Sequence, residues 1–340
     1  MFEKDATILK QYTGPLSRSI QDEYAISPEH YRGDVKLGLR NSDGTGVLVG
    51  VSRVGSVQGY LLQDGQRVPI PGQLYYRGIE LTDIVEAHRR AGTFGFEEVA
   101  YLLLMGYLPS KSELVYFDKI MNQARKLPEG FTEGMIMRHP SRSIMNELAR
   151  SVLSLYSYDP DPDNTSIDNM LLQSVKLIGY FPSIVANAYA MQRHYFHGDS
   201  LHIHYPVPEL STAENFLRMM RPDKSYTDEE AHLLDMMLMV HAEHGGGNNS
   251  TFVCRAMSSS GTDTYSAIAG AVGSLKGPLH GGANAKVMEM FRYVKENVDP
   301  RDDGSIRDYL VKLLDREAGD RSGKLYGLGH AVYTMSDPRA

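Results

Sequence analysis

Three histidines, each with glycine close by, are the residues of this sequence best equipped for chemistry. His244 stands in His241-Ala242-Glu243-His244-Gly245-Gly246-Gly247-Asn248, His280 in Gly277-Pro278-Leu279-His280-Gly281-Gly282, and His330 in Tyr326-Gly327-Leu328-Gly329-His330-Ala331-Val332-Tyr333. Glycine beside a functional side chain lets a ligand approach the backbone closely. Arg339 follows His330 within Asp337-Pro338-Arg339. A guanidinium next to a neutral imidazole donor is suited to holding a carboxylate while the neighbouring carbonyl is polarised.

The elements that must carry these groups can be read from spacing. Thr227-Asp228-Glu229-Glu230 is a capping pattern, and Leu233, Met237, Val240, His241 and His244 recur at helical spacing until the glycines of 245–247 stop the turn. His244 is therefore expected at a helix C-terminus. His280 precedes a helix whose apolar positions are Val287, Met288, Phe291 and Val294. The positive end of that helix disfavours a second positive charge, so the imidazole is expected to stay neutral and donate a hydrogen bond, as an enolate forming at a carbonyl oxygen requires. His241, on the apolar stripe, reads as an ordinary structural residue. Taken alone, the three histidines and Arg339 point to a lyase or transferase working beside the carbonyl of an anionic compound.

Around them the chain reads as mainly α. Helices are expected over 96–104, closed by Gly106; after Ser110 in a Ser110-Glu113 capping box; over 142–157; from Ile167 through Ile178; after Ser211; and over 262–275. The last is rich in small residues, which suits close packing against a helix of the same chain or of a second subunit. Val47, Val49, Val51, Val54 and Val57 alternate with small or polar residues and Asp64-Gly65 supplies a turn, giving a β ribbon near 46–70, the one strong strand signal. Residues 1–40 are weakly patterned and read as an N-terminal arm.

Composition narrows the function. The chain has 340 residues, 42% of them hydrophobic, and a formal net charge of -7. That suffices for a large core and argues against a broad nucleic-acid surface. No apolar run reaches the ~18 residues of a membrane span. Cys254 is the single cysteine, so no intrachain disulfide is possible and the expected compartment is the cytoplasm; within Thr251-Phe252-Val253-Cys254 the thiol reads as structural. Four histidines between His194 and His204 invite a metal, and a histidine-based metal hydrolase also using His241 and His244 is the rival from another class. Gly198 interrupts the run and no spacing sets three ligands on one element, so it reads as a solvated loop with no metal.

The three histidine motifs, in this order and spacing and with Asp337-Pro338-Arg339, resemble citrate synthase. The similarity extends to Tyr76-Arg77-Gly78-Ile79, to Phe96-Glu97-Glu98-Val99-Ala100-Tyr101-Leu102-Leu103 and to Ala213-Glu214-Asn215-Phe216-Leu217, and so covers most of the chain from about residue 70. The resemblance implies a mainly α homodimer, with a large helical domain over 1–280 and the beginning of a small helical domain over 281–340. It implies an acyltransferase of the tricarboxylic acid cycle that condenses acetyl-CoA with oxaloacetate, with acetyl-CoA as co-substrate and no permanently bound cofactor.

By the same resemblance His280 stabilises the enol of acetyl-CoA and His330 polarises the oxaloacetate carbonyl, while His244, Asn248 and Arg339 bind oxaloacetate. Tyr326, Gly327, Leu328 and Gly329 match the loop against which the adenine of CoA lies. Two departures stand out. Ala331 and Thr334 occupy positions where many relatives carry basic residues that reach a CoA phosphate. The family also continues past the Asp337-Pro338-Arg339 motif, with the aspartate that removes the methyl proton and with further arginines. Without that base, a rate lower by ~10² to 10⁴ is expected; the reading is a truncated form or fragment. The alternatives are a 2-methylcitrate synthase taking propionyl-CoA, since one methylene in an apolar pocket is worth only ~1 to 3 kcal/mol, and a non-catalytic subunit that keeps the fold.

Overall fold

Strand β1 (Gly55–Gln63) turns through Asp64 into β2 (Gln66–Tyr76), pairing antiparallel from Gly55↔Tyr76 to Gln63↔Gln66, with the register broken between Gln58 and Tyr60. A two-residue strand β3 (Ile79–Glu80) pairs only with Tyr75 and Tyr76. Pro71 falls within the break of register and Pro69 at its edge, opposite Tyr60, where the ladder is already interrupted and a missing N–H is tolerated. The ribbon expected near 46–70 thus exists and its second strand runs on to Tyr76. The computed structural model describes residues 52–340 except 65 and 331, so Val47, Val49 and Val51, the arm at 1–40, Gly65 of the turn and Ala331 lie outside the described residues.

Helices follow: α1 (Leu81–Ala91), α2 (Phe96–Met105), α3 (Lys111–Ala124), α4 (Ile144–Leu155), α5 (Ile167–His197), α6 (Thr212–Met220), α7 (Asp228–Val240), α8 (Asn249–Ser258), α9 (Thr264–Lys276), α10 (Ala283–Asn297) and α11 (Asp303–Leu314). Ser110, Ser211 and Thr227 all close the expected capping boxes, with Glu113, Glu214 and Glu230 reaching back to the cap backbone. Helix α5 is much longer than its pattern suggested. It continues through Pro182, so that His194 and His197 lie in its last turn and only the residues after Gly198 form a loop. No described helix is long and apolar enough to cross a membrane.

Two cores matter for the site. Phe131, Ile136, Val152, Leu155 and Ile184 form one, on which Tyr265 and Val272 of α9 also pack. The small residues of α9 serve contacts with α8 and α4 of the same chain. Leu74, Tyr76, Leu81, Val99, Leu102 and Met239 form the other, joining the end of the ribbon to α1, α2 and α7.

Helix α7 is turned differently from its apolar stripe: Leu233 and Met237 are exposed, while Ala231, Asp235 and Met239 are buried. The reason is polar. Asp235 accepts from the N–H groups of Gly95 (2.6 Å) and Phe96 (3.2 Å), capping the start of α2 from outside.

Candidate functional site

Helix α7 ends at Val240 with His241 as its C-cap, so His244 lies in the irregular turn beyond it and not within the helix. That turn is tied to the ribbon by Tyr76, whose buried hydroxyl donates to the Met239 carbonyl (3.0 Å) and accepts from the Glu243 N–H (3.3 Å). The Glu243 carboxylate in turn accepts from the Gly245 N–H. His241 faces outward, its Nδ1 against the Met237 carbonyl (2.7 Å).

The last stretch of chain also folds onto the ribbon. The Gly72 N–H donates to the Ser336 carbonyl (3.1 Å) and hydroxyl (3.2 Å). A side chain at Gly72 would run into Ser336 and Tyr333, and a Cβ at Gly59 would stand 2.5 Å from the Val332 carbonyl oxygen. Glycine is required at both positions because backbone lies where a Cβ would go.

This seating brings His330 against His244. Their ring centroids are 5.0 Å apart in an edge arrangement, and Tyr333 stacks on His330 at 4.6 Å while meeting His244 at 5.5 Å. Burial, then the positive field of Arg339 and of His330, pushes the His244 pKa down to about 4. Burial and Arg339 lower that of His330. Both rings are therefore neutral at physiological pH.

The hydrogen bonds also fix where the His330 proton is. Its Nδ1 faces the N–H groups of Val332 (3.0 Å) and Tyr333 (3.2 Å). A backbone N–H only donates, so Nδ1 must offer its lone pair and the ring proton sits on Nε2. His330 therefore presents an N–H donor. The Nε2 of His244 and the hydroxyl of Tyr333 are buried with no hydrogen-bond partner among the described residues. Unsatisfied polar atoms beside a poised donor mark a place built for a polar ligand.

Arg339 supplies the charge. It grips Asp337 through Nε (2.9 Å) and a terminal nitrogen (2.6 Å), and this holds the Asp337 carboxyl at about 2. Its field reaches Tyr76, Tyr333, His244 and His330.

His280 belongs to a neighbouring arrangement. It stands just before α10 as expected, but its ring turns to the start of a different helix, α8. There its Nε2 meets the Ser250 N–H (3.3 Å) and hydroxyl (2.7 Å). By the same donor logic the His280 proton belongs on Nδ1, which leaves an N–H to offer. Among the described residues His280 makes no ring contact with His244 or His330.

Asn248 caps α8, accepting from the Thr251 N–H (2.8 Å) and donating to the Gly245 carbonyl (3.1 Å). Both ends of its amide thus hold the glycine turn that links the His244 and His280 arrangements. Tyr326 is anchored by its hydroxyl to Asp320 (2.7 Å), and Lys286 of α10 lies 5.9 Å from its ring; Leu328 points into solvent, and Gly327 and Gly329 adopt positive φ of 89° and 86°.

The histidines of 194–204 are spent elsewhere: His194 contacts the Asp199 carbonyl and His204 the Pro222 carbonyl. Among the described residues no three His, Cys, Asp or Glu side chains gather as metal ligands.

Known proteins carry the same chain pattern. Residues 43–340 match the family model described as citrate synthase, C-terminal domain. The chain belongs to the citrate synthase family. A citrate synthase of Haloferax volcanii is 33% identical over 315 residues, 91% of this chain and 72% of the relative. A 2-methylcitrate synthase of Shewanella oneidensis is 32% identical over 266 residues, 78% of this chain and 64% of the relative. The chain therefore spans about two thirds of the length of these relatives. Among solved structures, citrate synthase from Pyrobaculum aerophilum superposes with a TM-score of 0.70 at 27% identity, covering 91% of this chain and 73% of that one. The expectation of a mainly helical, citrate synthase-like fold with a small ribbon holds.

Tyr76, Tyr333 and Ser250 were not singled out from sequence for any role. Tyr76 and Tyr333 sit inside motifs that were, but their function as struts appears only when ribbon, turn and tail are brought together.

Proposed function

We propose that this chain carries the oxaloacetate and acetyl-CoA groups of a citrate synthase, an acyltransferase forming citrate and CoA. The observation that carries the reading is the neutral pair His244 and His330 beside Arg339, with a fixed donor on one ring and a buried, unpartnered nitrogen on the other. His330 Nε2–H donates to the ketone oxygen of oxaloacetate, drawing electron density from the carbon under attack. Arg339 pairs with a carboxylate, and His244 and Tyr333 supply the remaining polar contacts. His280, with its proton on Nδ1, donates to the thioester oxygen of acetyl-CoA as the enol forms, and the 326–329 loop receives the adenine end.

The methyl proton needs a base. Asp337 is bound to Arg339 with its carboxyl at about 2, and Glu243 is engaged by the Gly245 N–H. Neither carboxylate is placed for that task, and the resemblance assigns it to an aspartate in the part of the family following the Arg339 motif. Oxaloacetate binding is tested apart from turnover. Oxaloacetate titrated calorimetrically into the protein should bind, and His330→Ala should abolish most of the heat. Failure to bind oxaloacetate at millimolar concentration would overturn the assignment.

Propionyl-CoA is the second reading, favoured by the 2-methylcitrate synthase relative at nearly the same identity as the citrate synthase. Comparing the two acyl-CoA substrates in a protein with the full family length decides between them. We also propose the family homodimer, a smaller domain beginning at 281 with α10 and α11, a cytoplasmic location and no resident cofactor. Sedimentation of the purified chain tests the first of these.

A further inference from the structure

A second concavity lies away from the histidine site. It has a volume of about 560 Å³ and is lined by Arg138, His139, Arg142, Arg150, Asn146 and Tyr195, among others. It is shallow and opens broadly to solvent. No carboxylate lines it, although the chain as a whole carries a net charge of -7. Glu147, buried behind Arg150, pairs with that arginine alone.

The loop between the π-helical turn Thr132–Met137 and α4 is held from both sides. Arg150 donates to the His139 carbonyl (2.6 Å), and Gln192 of α5 donates to the Arg142 carbonyl (2.7 Å). The Arg142 guanidinium lies over the Phe196 ring at 4.3 Å, which restrains an otherwise exposed side chain. Neither Arg138 nor Arg142 has a carboxylate within ion-pair distance among the described residues. Tyr195, beside Phe196, is 66% exposed and offers a flat face at the rim.

We propose that this basic concavity binds a small diphosphate anion, with Arg138 and Arg142 as the phosphate holders. Guanidinium forks with no carboxylate partner among the described residues, one of them held against an aromatic ring, are matched to phosphate oxygens in geometry and in charge. One carboxylate would leave most of the positive charge unanswered. The diphosphate is either free or borne on an aromatic base, and Tyr195 distinguishes the two, because only the second gains from stacking.

The test is calorimetric titration of the full chain with pyrophosphate and, separately, with ADP. Both are fragments of CoA chemistry, so the variants decide where they bind. Arg138→Ala/Arg142→Ala, at exposed positions outside both cores, should keep the circular-dichroism melting profile and weaken both anions by about tenfold or more. Arg142→Lys should weaken them less, and His330→Ala should leave them unchanged. ADP binding tighter than pyrophosphate, with the difference erased by Tyr195→Ala, assigns the base-borne form; equal binding assigns the free diphosphate. No binding at millimolar concentration, or binding indifferent to the two arginines, overturns the proposal.

Discussion

His244 and His330 meet edge to face with their ring centroids 5.0 Å apart, and the same arginine, Arg339, bears on both. Two imidazoles this close cannot both be cationic at low cost, and a fixed guanidinium raises that cost further. The arrangement selects neutral rings. A neutral donor polarises a ketone by hydrogen bonding while keeping its own proton.

The first prediction concerns pH. Unfolded His244 takes a proton near pH 6.5, whereas the folded ring does so only at about 4. Between those values the unfolded chain binds the extra proton, so stability is undisturbed above pH 6.5 and falls as pH drops towards 4. The limit is about 3 kcal/mol by linkage, and access of solvent to the partly exposed ring reduces this to on the order of 1 to 2 kcal/mol. Urea midpoints at pH 7.5 and 5.0 should show the loss, and His244→Gln should reduce it, leaving the part that belongs to His330. An unchanged pH slope in the variant would place the effect elsewhere.

The second concerns Tyr76→Phe. The hydroxyl joins the end of α7 to the Glu243 N–H while buried, so its removal leaves the Met239 carbonyl and that N–H without this partner. A cost of about 1 to 2 kcal/mol is expected. Because the same contact steadies the turn before His244, oxaloacetate affinity should fall in parallel. Loss of stability with unchanged affinity would show that the strut serves the core alone.

Much of this was legible in the sequence. The capping boxes at Ser110, Ser211 and Thr227 are local hydrogen-bond patterns, and local patterns survive folding. The buried face of α7 was misread because Asp235 is buried to cap another helix, and no periodicity of α7 itself reports on Gly95. Helix α5 was cut short because its amphipathic signal fades where it becomes buried on several sides. The three histidine motifs were visible, but that His280 leans on Ser250 of α8, instead of on its own helix, depends on tertiary placement.

The third prediction tests the seating of the tail. Gly59→Ala puts a methyl 2.5 Å from the Val332 carbonyl oxygen, a backbone atom that cannot swing aside. Overpacking of this kind costs about 1 to 3 kcal/mol. Since Val332 holds the His330 tautomer, oxaloacetate binding should weaken as well. Gly134→Ala, with open space around it, is the control and should change neither melting temperature nor affinity by a comparable amount.

The fourth prediction isolates the His280 proton. The Ser250 hydroxyl stands 2.7 Å from His280 Nε2, and the backbone N–H of the same residue approaches that nitrogen at 3.3 Å. The backbone N–H can only donate, so it selects the tautomer that carries its hydrogen on Nδ1, whereas the hydroxyl can donate to Nε2 or accept from it. Ser250→Ala removes the hydroxyl and leaves the selecting backbone contact, so the ring should stay on Nδ1 while losing its closer anchor. Nitrogen chemical shifts of the labelled ring report the two forms directly, and they need no turnover, so the test is independent of where the catalytic base resides. In a protein of full family length, the same variant should lower kcat about tenfold with little effect on the oxaloacetate KM, as expected for a donor engaged while charge develops. A ring that moves to Nε2–H in Ser250→Ala would show that the hydroxyl, and not the backbone N–H, sets the tautomer.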